Sequence, residues 1–89
     1  MLEKEVTIIN KLGLHARAAA KLVNIATKYS SLIEIEKDGQ RVNGKSIMGV
    51  MMLAAGQGSN IRLLADGDDA SESLTDIENL INNYFDEEE

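Results

Sequence analysis

His15 and Arg17 are the residues whose chemistry stands out in this 89-residue chain: the only imidazole present, and a guanidinium two positions on. Imidazole is nucleophilic and partly neutral near pH 7, with an ordinary pKa of about 6.5, so a ring nitrogen can form and break a bond to phosphorus. A guanidinium keeps its charge and grips phosphate oxygens in two places. Asn10 to Gly13 reads as a strand-to-helix connection and strong helix formers follow from Ala16, which sets His15 at or next to a helix N-cap. There the first turn offers amides without intrahelical partners, and the peptide dipoles add roughly half a positive charge. An anion carried on the imidazole is well received in that field. A lone histidine at a helix start is more often a cap or a surface residue, and His-x-Arg alone does not separate the two readings.

The wider context does separate them. Gly13-Leu14-His15-Ala16-Arg17, followed later by Asn43-Gly44-Lys45-Ser46-Ile47-Met48-Gly49-Val50-Met51, resembles the HPr family, the histidine phosphocarriers of the bacterial phosphoenolpyruvate-dependent phosphotransferase system. The similarity runs from the first strand to the last helix. It implies that His15 accepts a phosphoryl group on Nδ1 from phosphorylated enzyme I, whose own donor is phosphoenolpyruvate, and passes it to enzyme IIA components for sugar uptake. By the same resemblance the Arg17 side chain and the backbone N–H groups of Ala16 and Arg17 hold the phosphate, and Met48 is exposed on the partner-binding surface. Ile47, Met51 and Met52 bring more apolar character than a short surface helix needs; core burial is the commoner outcome for such residues, and those left outside form, with Lys45, a docking patch beside His15. The family commonly has proline after the arginine where this chain has Ala18. Neither residue brings chemistry, so the change touches rigidity alone.

Ser46 has two readings. From the residues it is a helix N-cap. By resemblance it matches a serine that HPr kinase/phosphorylase modifies in some members, and a phosphate there opposes an acidic partner.

A carrier of this kind turns over no small substrate alone, so it is expected to be a non-enzyme without cofactor, and a monomer. Two alternatives stand beside it. One is the nitrogen-related regulatory branch of the same system; the other is a regulatory binding module working through Ser46 and the Met-rich segment with no phosphotransfer.

Composition narrows the field further. There is no cysteine, which removes disulfides, thiolate chemistry and Cys-based zinc sites, and one histidine cannot build a multi-His metal site. Only Tyr29, Tyr84 and Phe85 are aromatic, so no stacking platform for nucleic acid is visible. No basic and apolar leader and no membrane-length apolar run appears, and a cytoplasmic protein without membrane contact is expected. The formal charge is −6, of which Asp86, Glu87, Glu88 and Glu89 supply four units. Between Glu5 and Glu34, and again between Asp38 and Asp66, every formal charge is positive. If the two basic segments share a face, it suits acidic partners and phosphate.

The elements that must position these residues follow from periodicity. Leu2 to Ile9 reads as a strand; from Ala16 to about Lys28, Ala19, Leu22, Val23 and Ala26 recur with helical spacing. Leu32 to Lys37 and Gln40 to Val42 form a hairpin about Asp38-Gly39, because a type I′ turn needs positive φ at both central positions. Ile47 to Ala55 is a short helix, Asn60 to Ala65 a fourth strand, and a last helix carries Leu74, Ile77, Leu80, Ile81, Tyr84 and Phe85 on one face. Asp69 and Glu72 have capping-box spacing at its start. The order strand-helix-strand-strand-helix-strand-helix suits an α+β layer arrangement. The resemblance makes it an open-faced sandwich, a four-stranded antiparallel sheet with three helices on one face. Residues 1–85 are expected to form one domain, with 86–89 an acidic tail that is disordered or frayed.

Overall fold

The computed structural model describes residues 1–87. Its elements follow the expected order: β1 (Leu2–Thr7), α1 (Ala16–Ala26), β2 (Leu32–Lys37), β3 (Gln40–Asn43), α2 (Ile47–Met52), β4 (Asn60–Asp66) and α3 (Ala70–Asn82). A 3-10 turn over Tyr84–Asp86 closes the described chain. Among the described residues no helix is long and apolar enough to cross a membrane.

The four strands form one sheet in the order β1-β4-β2-β3, with every neighbouring pair antiparallel. Asp38 and Gly39, at φ 52° and 83°, make the tight turn between β2 and β3. Period-2 alternation sends Ile33, Ile35, Ile61 and Leu63 toward the helices, where all four are essentially fully buried. Leu22 and Ala26 from α1, Val50 from α2, and Ile77 and Ile81 from α3 meet them. Burying each of the larger aliphatic side chains contributes about 1.5–3 kcal/mol.

The opposite face of the sheet is charged. Glu5, Arg62, Glu36 and Arg41 stand side by side across all four strands. Arg62 pairs with Glu36 at 3.2 Å and Glu3 at 3.6 Å, and Arg41 with Glu34 at 3.6 Å. The charge pattern along the chain therefore does not make one basic face. The cations of the second segment at Arg41 and Arg62 are matched by acids that sequence order places elsewhere, each exposed pair contributing about 0.2–1 kcal/mol.

Two further expectations are corrected. Asp69 occupies the N-cap position of α3, but its carboxylate makes no capping bond there. It accepts instead from the backbone N–H groups of Ser30 and Ser31, at 2.9 and 3.0 Å, and from both serine hydroxyls. The carboxylate thus ties the start of α3 to the approach to β2. The helical face expected to run through Phe85 stops earlier. After Asn82 the chain reverses into a left-handed turn, with Tyr84, Phe85 and Asp86 at φ 58°, 52° and 61°. Left-handed conformations cost roughly 1–2 kcal/mol per residue. The turn drives Phe85 into the core, where it is fully buried, and leaves Tyr84 41% exposed.

The same turn carries the chain back toward α1. Of the acidic tail, Glu88 and Glu89 lie outside the described residues, whereas Asp86 belongs to the turn and Glu87 packs against the start of α1.

Candidate functional site

The connection from β1 to α1 is built by two small residues. Gly13 has φ +65°, and a Cβ there would stand 2.4 Å from the Ala55 carbonyl oxygen and 2.7 Å from the Gly56 Cα. Only glycine allows both the backbone conformation and that approach. The Leu14 N–H donates to the Ala55 carbonyl at 2.8 Å, so the loop before α1 is stitched to the loop after α2. Asn10, fully buried, donates through Nδ2 to the Gly13 carbonyl at 2.9 Å and closes the loop from inside.

These contacts deliver His15 to the N-cap of α1, with extended backbone at φ −72° and ψ 177°. Its side chain makes no capping bond to the helix. The His15 carbonyl accepts the N–H of Ala19 at 2.8 Å, and among the described residues the N–H groups of Ala16, Arg17 and Ala18 have no partner. The donors of the exposed Ala16 and Arg17 and the positive end of an 11-residue helix dipole thus open beside the imidazole. Ala18 is fully buried, so the N–H that a proline would lack there does not face a phosphate. Arg17 is exposed, and among the described residues its guanidinium makes no ion pair.

The His15 side chain keeps 27% of its accessible surface. Its Nε2 lies 2.5 Å from Oε2 of Glu87, and the other oxygen of that carboxylate accepts from Asn10 Nδ2 at 3.1 Å. Burial pushes the Glu87 carboxyl up, but the hydrogen bonds from His15 and Asn10 and the nearby charges of His15 and Lys21 outweigh it, so it stays below its ordinary value. Neither Asn10, which reads from the sequence as a turn residue, nor Glu87 carried a signal for the site. One is a polar residue beside an apolar strand, and the other is hidden in a run of acids that composition alone marks as solvated.

The second motif forms the start of α2. Ser46 caps the helix, its Oγ accepting the Gly49 N–H at 3.0 Å. A Cβ at Gly49 would come within 3.3 Å of that serine, so glycine keeps the cap uncrowded. Met48 is 76% exposed, the most of the expected patch, followed by Ile47 at 42% and Met51 at 41%. Met52 and Leu12 are also exposed, and Leu12 is a surface residue that periodicity did not single out. Of the helix, Val50 alone is buried. Lys45 is half-buried, its ammonium donating to the Tyr29 carbonyl at 2.7 Å, which fastens the α2 approach to the end of α1.

Residues 2–83 match the family model described as the PTS HPr component phosphorylation site. The chain belongs to the HPr family. It is 52% identical to the phosphocarrier protein HPr of Cupriavidus necator over 89 residues, covering both chains completely. It is 54% identical to that of Pseudomonas aeruginosa over 86 residues, 96% of each chain. Among solved structures, HPr-C-His from Thermoanaerobacter tengcongensis superposes with a TM-score of 0.96 at 48% identity, each chain covered in full. The open-faced α+β sandwich is thus the HPr fold, and a phosphocarrier role in the phosphotransferase system comes with HPr membership.

Proposed function

We propose that His15 accepts a phosphoryl group on Nδ1 from phosphorylated enzyme I and hands it to enzyme IIA components, with Arg17 and the first-turn amides of α1 balancing the phosphate charge. One observation supports this above the others: His15 stands at the N-cap of α1 without capping it, so the N–H groups of the exposed Ala16 and Arg17 remain available beside the ring. Transfer of a phosphoryl group passes through a loose transition state in which positioning and charge stabilisation do most of the catalysis. The chain acts as a carrier and not as an enzyme, because the phosphoryl group is only held between two protein partners and no small molecule is turned over. It works as a monomer in the cytoplasm; the charges of Glu3, Lys4 and Glu5 along the edge strand β1 disfavour pairing with a second sheet.

Ile47, Met48 and Met51 with Leu12 provide an adaptable apolar surface for partner proteins. Lys45 supports that surface by holding α2 against α1. Phosphorylation of Ser46 by HPr kinase/phosphorylase weakens docking by placing nearly two negative charges at this surface.

Incubation with phosphoenolpyruvate and purified enzyme I tests the proposal. Wild-type chain takes up one acid-labile phosphate and passes it to an enzyme IIA, whereas His15→Ala takes up none and keeps its fold. Acid-labile phosphate in the alanine variant overturns the assignment, and a panel of acceptors separates the sugar branch from the nitrogen-related one.

A further inference from the structure

A neutral imidazole holds its proton on one nitrogen, and the hydrogen bond made by the other nitrogen decides which. For His15 that choice matters, because Nδ1 can attack phosphorus only with its lone pair free. Glu87 Oε2 lies 2.5 Å from Nε2, and an ionised carboxylate can only accept. The opposite oxygen of the same carboxylate accepts from Asn10 Nδ2 at 3.1 Å. Asn10 is fully buried, and its Nδ2 also donates to the Gly13 carbonyl. Turning the amide over would set its oxygen against two oxygens, so the orientation is determined by its partners. Among the described residues its own Oδ1 has no hydrogen-bond partner. A buried amide with that deficit serves the two acceptors in front of it, since buried polar atoms are otherwise almost always paired.

The geometry points to Asn10 and Glu87 as positioning residues for His15: an amide, carboxylate and imidazole in series that hold the proton on Nε2 and the lone pair on Nδ1. This rests on the carrier function proposed above and adds to it how the acceptor nitrogen is chosen. On loading, the Nδ1 lone pair forms the bond to phosphorus as the donor's bond to phosphorus breaks and its electron pair stays with the donor. On unloading, the Nδ1–P bond breaks and the pair returns to Nδ1. The Nε2 proton stays in place through both steps. The ring therefore leaves as neutral imidazole and not as the far more basic imidazolate, and no proton has to cross the site. While the phosphoryl group is carried, the carboxylate balances the positive charge that the ring acquires.

The C-terminal segment supplies this carboxylate from 72 positions away. Phe85 anchors it in the core, and Lys21 holds the Phe85 carbonyl at 2.6 Å. The left-handed turn thus places one acid of the terminal run at the ring.

The test is nitrogen-15 NMR of the full chain together with phosphorylation kinetics. In the wild type the neutral ring shows the Nε2–H tautomer with a proton protected from solvent exchange. In Glu87→Ala that protection is lost, the ring moves to the tautomer mixture of free histidine, and the initial rate of phosphorylation by enzyme I falls by about tenfold. Glu87→Gln, which keeps an acceptor for Nε2–H but sets its amide nitrogen against Asn10, recovers the tautomer and part of the rate. Asn10→Ala reproduces the Glu87→Ala signature, and the double variant is no worse than either. Should Asn10→Ala disturb its loop, the Glu87 variants decide alone. Ring nitrogen shifts and rate unchanged in Glu87→Ala overturn the positioning chain while leaving the carrier function standing. A wild type that enzyme I does not load overturns the carrier function, and the tautomer signature then decides the chain by itself.

Discussion

The Lys21 ammonium donates to the carbonyl oxygen of Phe85 at 2.6 Å, joining the middle of α1 to a residue 64 positions later. The bond ties the helix that begins at His15 to the turn that brings Glu87 back to it. Phe85→Ala is expected to cost about 3–5 kcal/mol, because a fully buried ring is replaced by a cavity. Tyr84→Ala, at a residue 41% exposed, is expected to cost less than half as much. Urea denaturation of both variants checks the contrast, and equal losses would contradict the plug role of Phe85.

Asp69 makes the fold sensitive to acid. Hydrogen bonds from the Ser31 hydroxyl and the Ser30 N–H, with further ones from Ser31 and Ser30, outweigh burial and hold its carboxyl at about 2, below the ordinary 3.8. A carboxyl depressed in the folded state stabilises the fold above its unfolded value, and that stability is lost as pH falls through the folded one. The urea midpoint is therefore expected to drop between about pH 4 and pH 2. In Asp69→Asn the part of the drop that belongs to this residue disappears, and the midpoint at pH 6 is already lower. An unchanged profile in the variant would remove Asp69 from the account.

Two glycines near the site give opposite expectations. Gly13→Ala meets the Ala55 carbonyl oxygen at 2.4 Å with φ +65°, so a loss of about 1–3 kcal/mol and slower loading of His15 are expected. Gly56→Ala meets no atom within 4 Å and is expected to be neutral or to gain about 0.4–1 kcal/mol. Thermal melting with enzyme I kinetics distinguishes them.

Charge and capping can be separated at Ser46. Ser46→Asp keeps an N-cap acceptor, so stability is expected to stay within about 0.5 kcal/mol, while KM for loading by enzyme I rises. Ser46→Ala removes the bond to the Gly49 N–H and is expected to cost about 1 kcal/mol with KM little changed. An unchanged KM in Ser46→Asp would make the serine structural alone.

Arg17→Ala is expected to slow phosphoryl transfer by about a hundredfold, the scale for losing one charge-stabilising group from a transition state. Its guanidinium has no ion-pair partner among the described residues, so the melting temperature should hardly move. A loss of stability that accounts for the slower rate would assign Arg17 to folding.

Much of this was legible in residue order. Helical spacing at Ala19, Leu22, Val23 and Ala26 picked out a buried face, and Asp38-Gly39 marked a turn whose φ values are positive as that turn type requires. These signals are local: a side chain's period and a turn's conformational demand act within a few residues. The placing of His15 at a helix start is local in the same way, whereas its role as phosphoryl acceptor with Arg17 beside it came from the resemblance of two separated motifs and not from the neighbours alone.

What the chain order left undecided was long-range. Asp69 has capping-box spacing, yet its carboxylate is claimed by Ser30 and Ser31. Arg41 and Arg62 lie in basic stretches, yet sheet register sets them against glutamates. Glu87 looks like one more solvated acid, and only the burial of Phe85, which reverses the chain after α3, brings it to the imidazole. Local preference is settled within a turn or two of chain, whereas these pairings depend on which distant atoms the packed core brings together.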